Sequence, residues 1–128
     1  MENIELTLQK DEKALINNIL LENCMSMVDL LAEQKTEKNI ENVLQVMQTT
    51  IACQHKFFLS CLEESLEVPE AMAYFVKPIL EGALENLKEV KKKFIRQGDQ
   101  RGFSVSSTCE VLSSLIMKFP NPSLIIKP

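Results

Sequence analysis

The chain has 128 residues, of which 45% are hydrophobic and 25% are charged, with three glycines and five prolines. This length is typical of one domain, so we expect a single helical-bundle domain over residues 1–128. The composition argues against sandwiches and barrels, which need turn residues about every ten positions. The apolar content argues against a disordered chain.

The net charge is −4, but acidic residues are concentrated before Lys77 and basic residues after it. An acidic balance argues against wholesale nucleic-acid binding, and opposite charge in the two halves is compatible with self-association. Residues 1–13 lack the charge and apolar pattern of a secretory signal, and no apolar run reaches the roughly 18 residues that cross a bilayer. We therefore expect a cytoplasmic protein that does not bind membranes.

The sequence pattern predicts an all-α fold, an antiparallel bundle of four main helices near residues 10–34, 37–66, 78–97 and 104–119. A short helical piece is expected around residues 70–76, because Pro69 stops one helix and Pro78 either restarts the next or sharply kinks it. Residues 3–8 alternate between polar and apolar, which fits either a strand or a helix. No internal repeat of fixed period is visible.

Several residues mark the expected helix ends. Thr36 is expected to cap the second helix, and Gly98 is expected to end the third in a left-handed conformation. Ser104 and Ser106 are candidate caps for the last helix, which Pro120 terminates.

The sequence offers little catalytic or metal-binding chemistry. His55 is the only histidine, and Cys53 and Cys61 are too far apart along one helix to bind one ion together with it. The cysteines form no CxxC pair, so we expect reduced core thiols, without disulfide, metal or cofactor. We expect no enzymatic activity. Of the three functions considered for this chain, a small helical-bundle enzyme or enzyme subunit ranks third.

A basic patch extends from Lys88 to Arg101 and includes Lys91, Lys92, Lys93 and Arg96. Its simplest role is to offset the negative end of the helix dipole. The same patch could attract an acidic protein or a phosphate backbone. A nucleic-acid-associated regulator is therefore the alternative function.

Some apolar residues lie outside the main helical stripes. Met25 and Phe57 are expected to widen the apolar faces of the first two helices, and Leu124, Ile125 and Ile126 form an apolar tail that packs in cis or in trans. These residues and the basic patch are the expected partner-binding residues. The pattern favours a non-enzymatic interaction module, such as an adaptor, a secretion-type chaperone or a small inhibitor, that also forms a homodimer.

Overall fold

The computed structural model of the protein describes residues 3–59 and 65–120. Its elements are β1 (Asn3–Thr7), α1 (Lys10–Glu33), α2 (Glu37–Leu59), β2 (Ser65–Pro69), α3 (Glu70–Arg96) and α4 (Arg101–Met117). The chain is mostly helical, as the sequence predicts. It also contains a small two-stranded sheet, so the all-α class is only approximately right.

The chain divides into two compact units. One unit comprises Gln9–Glu64 and contains the α1–α2 hairpin; the other comprises Met1–Leu8 with Ser65–Pro128 and contains the sheet and the α3–α4 hairpin. In each unit a long helix packs against the helix that follows it after a short connection. The single bundle of four helices remains a prediction.

The sheet resolves the alternating pattern near the N-terminus as a strand. β1 and β2 are antiparallel, with Leu6 opposite Leu66 and Ile4 opposite Val68. Leu6, Leu66 and Val68 are buried, whereas Glu5 and Glu67 between them are exposed. Burial at every second residue fixes the strand register, because a shift by one residue would turn the buried side chains to solvent.

The second helix is shorter than predicted. α2 ends at Leu59, and the expected last turn near Leu66 is part of β2. Leu66 satisfies both a helical spacing and a two-residue alternation with Val68, and the second pattern prevails because β1 supplies a pairing partner. The predicted residues 60–64 of this helix lie outside the described residues.

The predicted restart at Pro78 is wrong, because α3 is one helix from Glu70 to Arg96 with Pro78 inside it. The buried residues Val76 and Leu80 continue one helical face past the proline. Pro78 itself is exposed, so the carbonyl group that loses its helical donor lies on the solvent side of α3. Tertiary burial therefore outweighs the local preference for a restart.

The helix ends confirm two of the predicted caps. The Thr36 hydroxyl accepts the Asn39 N–H at 3.3 Å, and Gly98 has a φ of 67° after the end of α3. The N–H groups of Gly98 and Asp99 donate to the Ile95 and Phe94 carbonyls at 3.1 and 2.9 Å, which is a Schellman motif.

The predicted serine caps of the last helix are wrong. α4 begins at Arg101, before Ser104 and Ser106, and the Asp99 carboxylate accepts the Arg101 N–H at 2.9 Å. Gly102 is buried, and a Cβ there would lie 3.5 Å from the side chains of Phe94 and Ile95. The short connection thus brings the start of α4 directly against the end of α3.

The order of elements repeats, because each half of the chain contains a strand, a long helix, a short connection and a second helix. The burial pattern repeats as well, at pairs such as Ile16 with Val76, Leu20 with Leu80, Thr50 with Leu112, Cys53 with Leu115 and Phe57 with Phe119. Between residues 11–34 and 71–94 the burial differs only at Glu12 and Met72, Ala14 and Tyr74, and Cys24 and Leu84. The repeat is invisible in the sequence because the paired residues share a position in the hairpin and seldom an identity.

Replacing Pro78 by alanine tests the continuous helix. The change restores a backbone donor inside α3, so we expect stabilisation by about 1–3 kcal/mol, reduced by the greater freedom of the unfolded chain. Urea unfolding followed by circular dichroism measures it. If Pro78 were instead the first residue of a separate helix, the substitution would not increase stability, because an N–H at that position has no acceptor within the helix.

Candidate functional site

The α1–α2 hairpin buries one row of side chains on each helix. Ile16 and Leu20 of α1 and Thr50, Cys53 and Phe57 of α2 are almost fully buried. The Thr50 hydroxyl donates to the Val46 carbonyl at 2.8 Å, so its burial leaves no unpaired donor. These rows account for the helical periodicity of both segments.

A second set of large apolar side chains on the same hairpin remains exposed. Leu21, Met25 and Val28 of α1 are 47%, 62% and 54% exposed, and Leu44 and Ile51 of α2 are 39% and 52% exposed. We call these five residues the α1–α2 face. Hydrophobic residues exposed singly are ordinary, but a contiguous apolar set of this kind is typical of an interaction surface.

Helix geometry places the five residues on one side of the hairpin. In the sequence, each of the five comes one position after a residue that is buried or partly covered. Leu21 comes after the buried Leu20, for example, and Ile51 after the buried Thr50. One residue corresponds to about 100° of rotation around a helix. The two helices are antiparallel, so the same rotation carries both rows to the same side. Among the exposed neighbours, Asn18, Ala32 and Gln48 carry no charge, whereas Glu22 and Asp29 lie three and four residues from Met25 at the edge of the face.

The α3–α4 hairpin provides an internal comparison for this face. The corresponding positions of the second hairpin are Glu81 for Leu21, Glu85 for Met25, Lys88 for Val28, Ser106 for Leu44 and Ser113 for Ile51. The three α3 residues are exposed like their counterparts in α1, whereas Ser106 and Ser113 are partly covered. At every pair the first hairpin has an apolar residue and the second has a polar or charged one. A helical hairpin of this layout therefore does not need apolar residues on this side.

The basic patch lies at the end of α3, at the tip of the second hairpin. Lys88 and Lys92 form exposed ion pairs with Glu85 and Glu89 at 3.7 and 3.5 Å. Within the part of the chain that the structure describes, Lys91, Lys93 and Arg96 form no ion pair. Exposed pairs of this kind contribute little to stability, so most of the positive charge stays available.

Arg101 and Asp99 form the best-defined polar contact of the tip. The Arg101 guanidinium donates to both Asp99 oxygens, with Nη2 to Oδ2 at 2.6 Å, and lies 4.8 Å from the centre of the Phe94 ring. Hydrogen bonds from the Arg101 side chain and backbone lower the pKa of Asp99, and the same pair raises the pKa of Arg101. Asp99 is therefore ionised and paired at neutral pH.

A cleft of about 330 Å³ opens beside this contact. It is lined by Lys91, Ile95, Gly98, Asp99, Gln100, Gly102, Phe103 and Ser106. Ile95 and Phe103 are 61% and 81% exposed. The cleft thus combines exposed apolar side chains with a nearby cationic group.

The residues predicted to bind partners differ in their exposure to solvent. Met25, Lys92, Lys93 and Arg96 are exposed, and Lys91 is partly covered beside the cleft. The predicted contribution of Phe57 to an exposed face is wrong, because this ring is fully buried in the same row as Thr50 and Cys53. The predictions for Leu124, Ile125 and Ile126 concern residues outside the described part of the chain.

Six exposed apolar residues of the α1–α2 face and the cleft were not predicted as partner-binding: Leu21, Val28, Leu44, Ile51, Ile95 and Phe103. The spacing of apolar residues predicts Leu44 and Ile51 in the core stripe of α2, because spacing alone does not distinguish a core residue from an exposed apolar neighbour. Comparison of the α1–α2 hairpin with the α3–α4 hairpin at matched positions distinguishes core residues from exposed ones. This comparison requires an alignment of the two hairpins, and their sequences are too different to provide it.

The described residues show no further chemical centre. Cys24, Cys53 and Cys109 are free and buried, and no group of three metal-ligating side chains occurs among the described residues. His55 is exposed. In this part of the chain α1 is long and apolar enough to cross a membrane, with 11% of its most apolar window buried. Core helices and signal sequences share these properties, so the match assigns no location.

Comparison with known proteins gives no assignment, since no family model, no curated protein and no solved structure matches the chain. The candidate surfaces therefore depend on their own geometry and chemistry.

The buried thiols lead to a testable difference in reactivity. Burial raises the pKa of Cys53 from 9.0 to about 11. At pH 8 its thiolate fraction is then about 100-fold lower than that of an unperturbed thiol, and the thiolate is the reactive form. We expect iodoacetamide to modify Cys53 at least that much more slowly in the folded protein than in urea, as measured by peptide mass spectrometry. Equal rates in the two states would contradict the burial of Cys53.

Proposed function

We propose that the protein is a non-enzymatic interaction module, of the adaptor, chaperone or small-inhibitor type, that binds another protein molecule through the α1–α2 face. One observation carries the proposal. Five positions of this face are apolar, whereas the matched positions of the second hairpin are polar or charged. Because a hairpin of this layout is compatible with polar residues there, the apolar residues on α1 and α2 have a purpose other than packing within the hairpin.

The energetics of burial support binding at this face. Complete burial of one large aliphatic side chain contributes about 1.5–3 kcal/mol, and these residues are only about half exposed, so each can still contribute part of that. No charged residue lies among the five, so a partner would remove no ionic group from water at the centre of the contact. Met25 is the most exposed of the five, and its flexible side chain adapts to partners of different shape.

We propose that a second copy of the chain occupies the face in the purified protein. In a two-fold dimer the same residues meet from both sides, which for charged residues would bring like charges together. The five residues of the α1–α2 face carry no charge, so no like charges meet at the centre of such a contact. Two helical hairpins that pack side by side also form a four-helix arrangement, a common way to bury such faces.

Sedimentation of a Met25→Glu variant tests the proposed homodimer. We expect the wild-type protein to dimerise and Met25→Glu to weaken the dimer at least about tenfold, because one central apolar contact commonly exceeds 1.4 kcal/mol. Leu30→Glu is the matched control, since Leu30 is also exposed on α1 but does not belong to the face. We expect it to change the dissociation constant little, and circular dichroism verifies that both variants fold.

A protein that stays monomeric at high concentration would refute the homodimer but leave the interaction module to a separate test. Wild-type protein and Met25→Glu would be used as baits in lysate from the source cell. A stoichiometric partner retained by wild type and by Leu30→Glu, but lost with Met25→Glu, supports the module. If no captured protein depends on Met25 and the protein does not dimerise, the proposed function is wrong.

A further inference from the structure

The cleft at the tip of the α3–α4 hairpin is formed by the connection between the two helices. Gly98 ends α3 in a left-handed conformation, and the buried Gly102 packs beside Phe94 and Ile95 at the start of α4. The cleft lies between the last turn of α3 and the first turn of α4. The cleft is formed within one compact unit and includes no residue of the α1–α2 face.

Two apolar side chains that line the cleft are exposed to solvent. Phe103 is 81% exposed and Ile95 is 61% exposed, so neither side chain contributes much to the core of its own unit. Both line the same cavity of about 330 Å³. A cavity of this size between two exposed apolar side chains can accept one large side chain of a partner.

The charge around the cleft that no ion pair offsets is positive. Lys91 lines the cleft and forms no ion pair among the described residues. Lys88 and Lys92 lie within one turn of it on α3, where exposed ion pairs with Glu85 and Glu89 partly offset their charge. Among the described residues that line the cleft, Asp99 is the only acid, and its two oxygens accept hydrogen bonds from Arg101, so this negative charge is offset. A ligand that enters the cleft therefore meets net positive charge at its rim.

We propose that this cleft binds an acidic protein segment carrying one large apolar side chain, which lies between Ile95 and Phe103 while flanking carboxylates meet Lys91 and its neighbours. The complementary charge favours capture of an acidic segment, and the apolar contact selects segments that carry an anchor. Phe103 is the only aromatic residue that lines the cleft, and successive nucleic-acid bases would need a series of such rings. An acidic protein segment fits the observations better than single-stranded nucleic acid.

Fluorescence anisotropy with labelled peptides tests the proposal on the full chain. The probe is a short glutamate-rich peptide with one central leucine, and two further peptides replace the leucine by serine or the glutamates by lysines. We expect saturable binding of the first peptide, weakening with added salt, and at least about tenfold weaker binding of the other two.

Matched variants connect the binding to the cleft. Phe103→Ser and Lys91→Glu are each expected to weaken the glutamate-rich peptide at least about tenfold. Met117→Ser and Lys93→Glu are the controls, because Met117 is 84% exposed on the same helix as Phe103 and Lys93 is a lysine of α3, yet neither lines the cleft. We expect both controls to bind within about threefold of wild type.

Several outcomes would overturn the proposal. Equal binding of the leucine and serine peptides would reduce the site to a non-specific cationic surface. Equal loss with Lys91→Glu and Lys93→Glu would remove the cleft from the interaction. Tighter, Phe103-dependent binding of single-stranded RNA or of phosphatidylserine vesicles would assign the cleft to another class of partner. None of these results bears on the α1–α2 face, so the two proposals can fail separately.

Discussion

One helix can cover only part of the circumference of its neighbour, and this constraint governs the α1–α2 hairpin. α1 contains apolar residues on two sides, whereas α2 covers only the row that includes Ile16 and Leu20. The surplus apolar side remains at the surface with Leu21, Met25 and Val28. In the second hairpin the corresponding side carries Glu81, Glu85 and Lys88, so α3 keeps a single buried row. The two hairpins thus satisfy the same packing requirement with opposite surface chemistry.

The helical content and several boundaries could be predicted from the residues. Thr36 and Gly98 act locally, through a side-chain acceptor and a left-handed backbone, and both are found where the sequence places them. The first helix also follows its predicted range closely, because Asp11 and Glu12 mark its first turn and no Gly or Pro interrupts it. Local chemistry is sufficient where no distant segment changes the balance.

The incorrect predictions involve positions where distant contacts decide between two local possibilities. Leu66 could extend a helix or alternate in a strand, and its pairing with Leu6 selects the strand. Pro78 would restart a helix in isolation, but burial on both sides of it maintains one helix. Phe57 adjoins another phenylalanine in sequence, and only the packing of α2 reveals that its ring is covered. The candidate surfaces share this property, since exposure of an apolar residue depends on what its own unit leaves uncovered.

The pairing of β1 with β2 has a consequence for the order of folding. Thr7 pairs with Ser65, so the whole α1–α2 segment is a loop between two neighbouring strands of one sheet. Closing a long flexible loop costs entropy that grows with its length. An antiparallel helical hairpin brings its first and last residues together and so shortens the effective loop. We expect α1 and α2 to associate before the sheet closes, which makes a helical hairpin with an exposed apolar side an early species in folding and a natural target for chaperones.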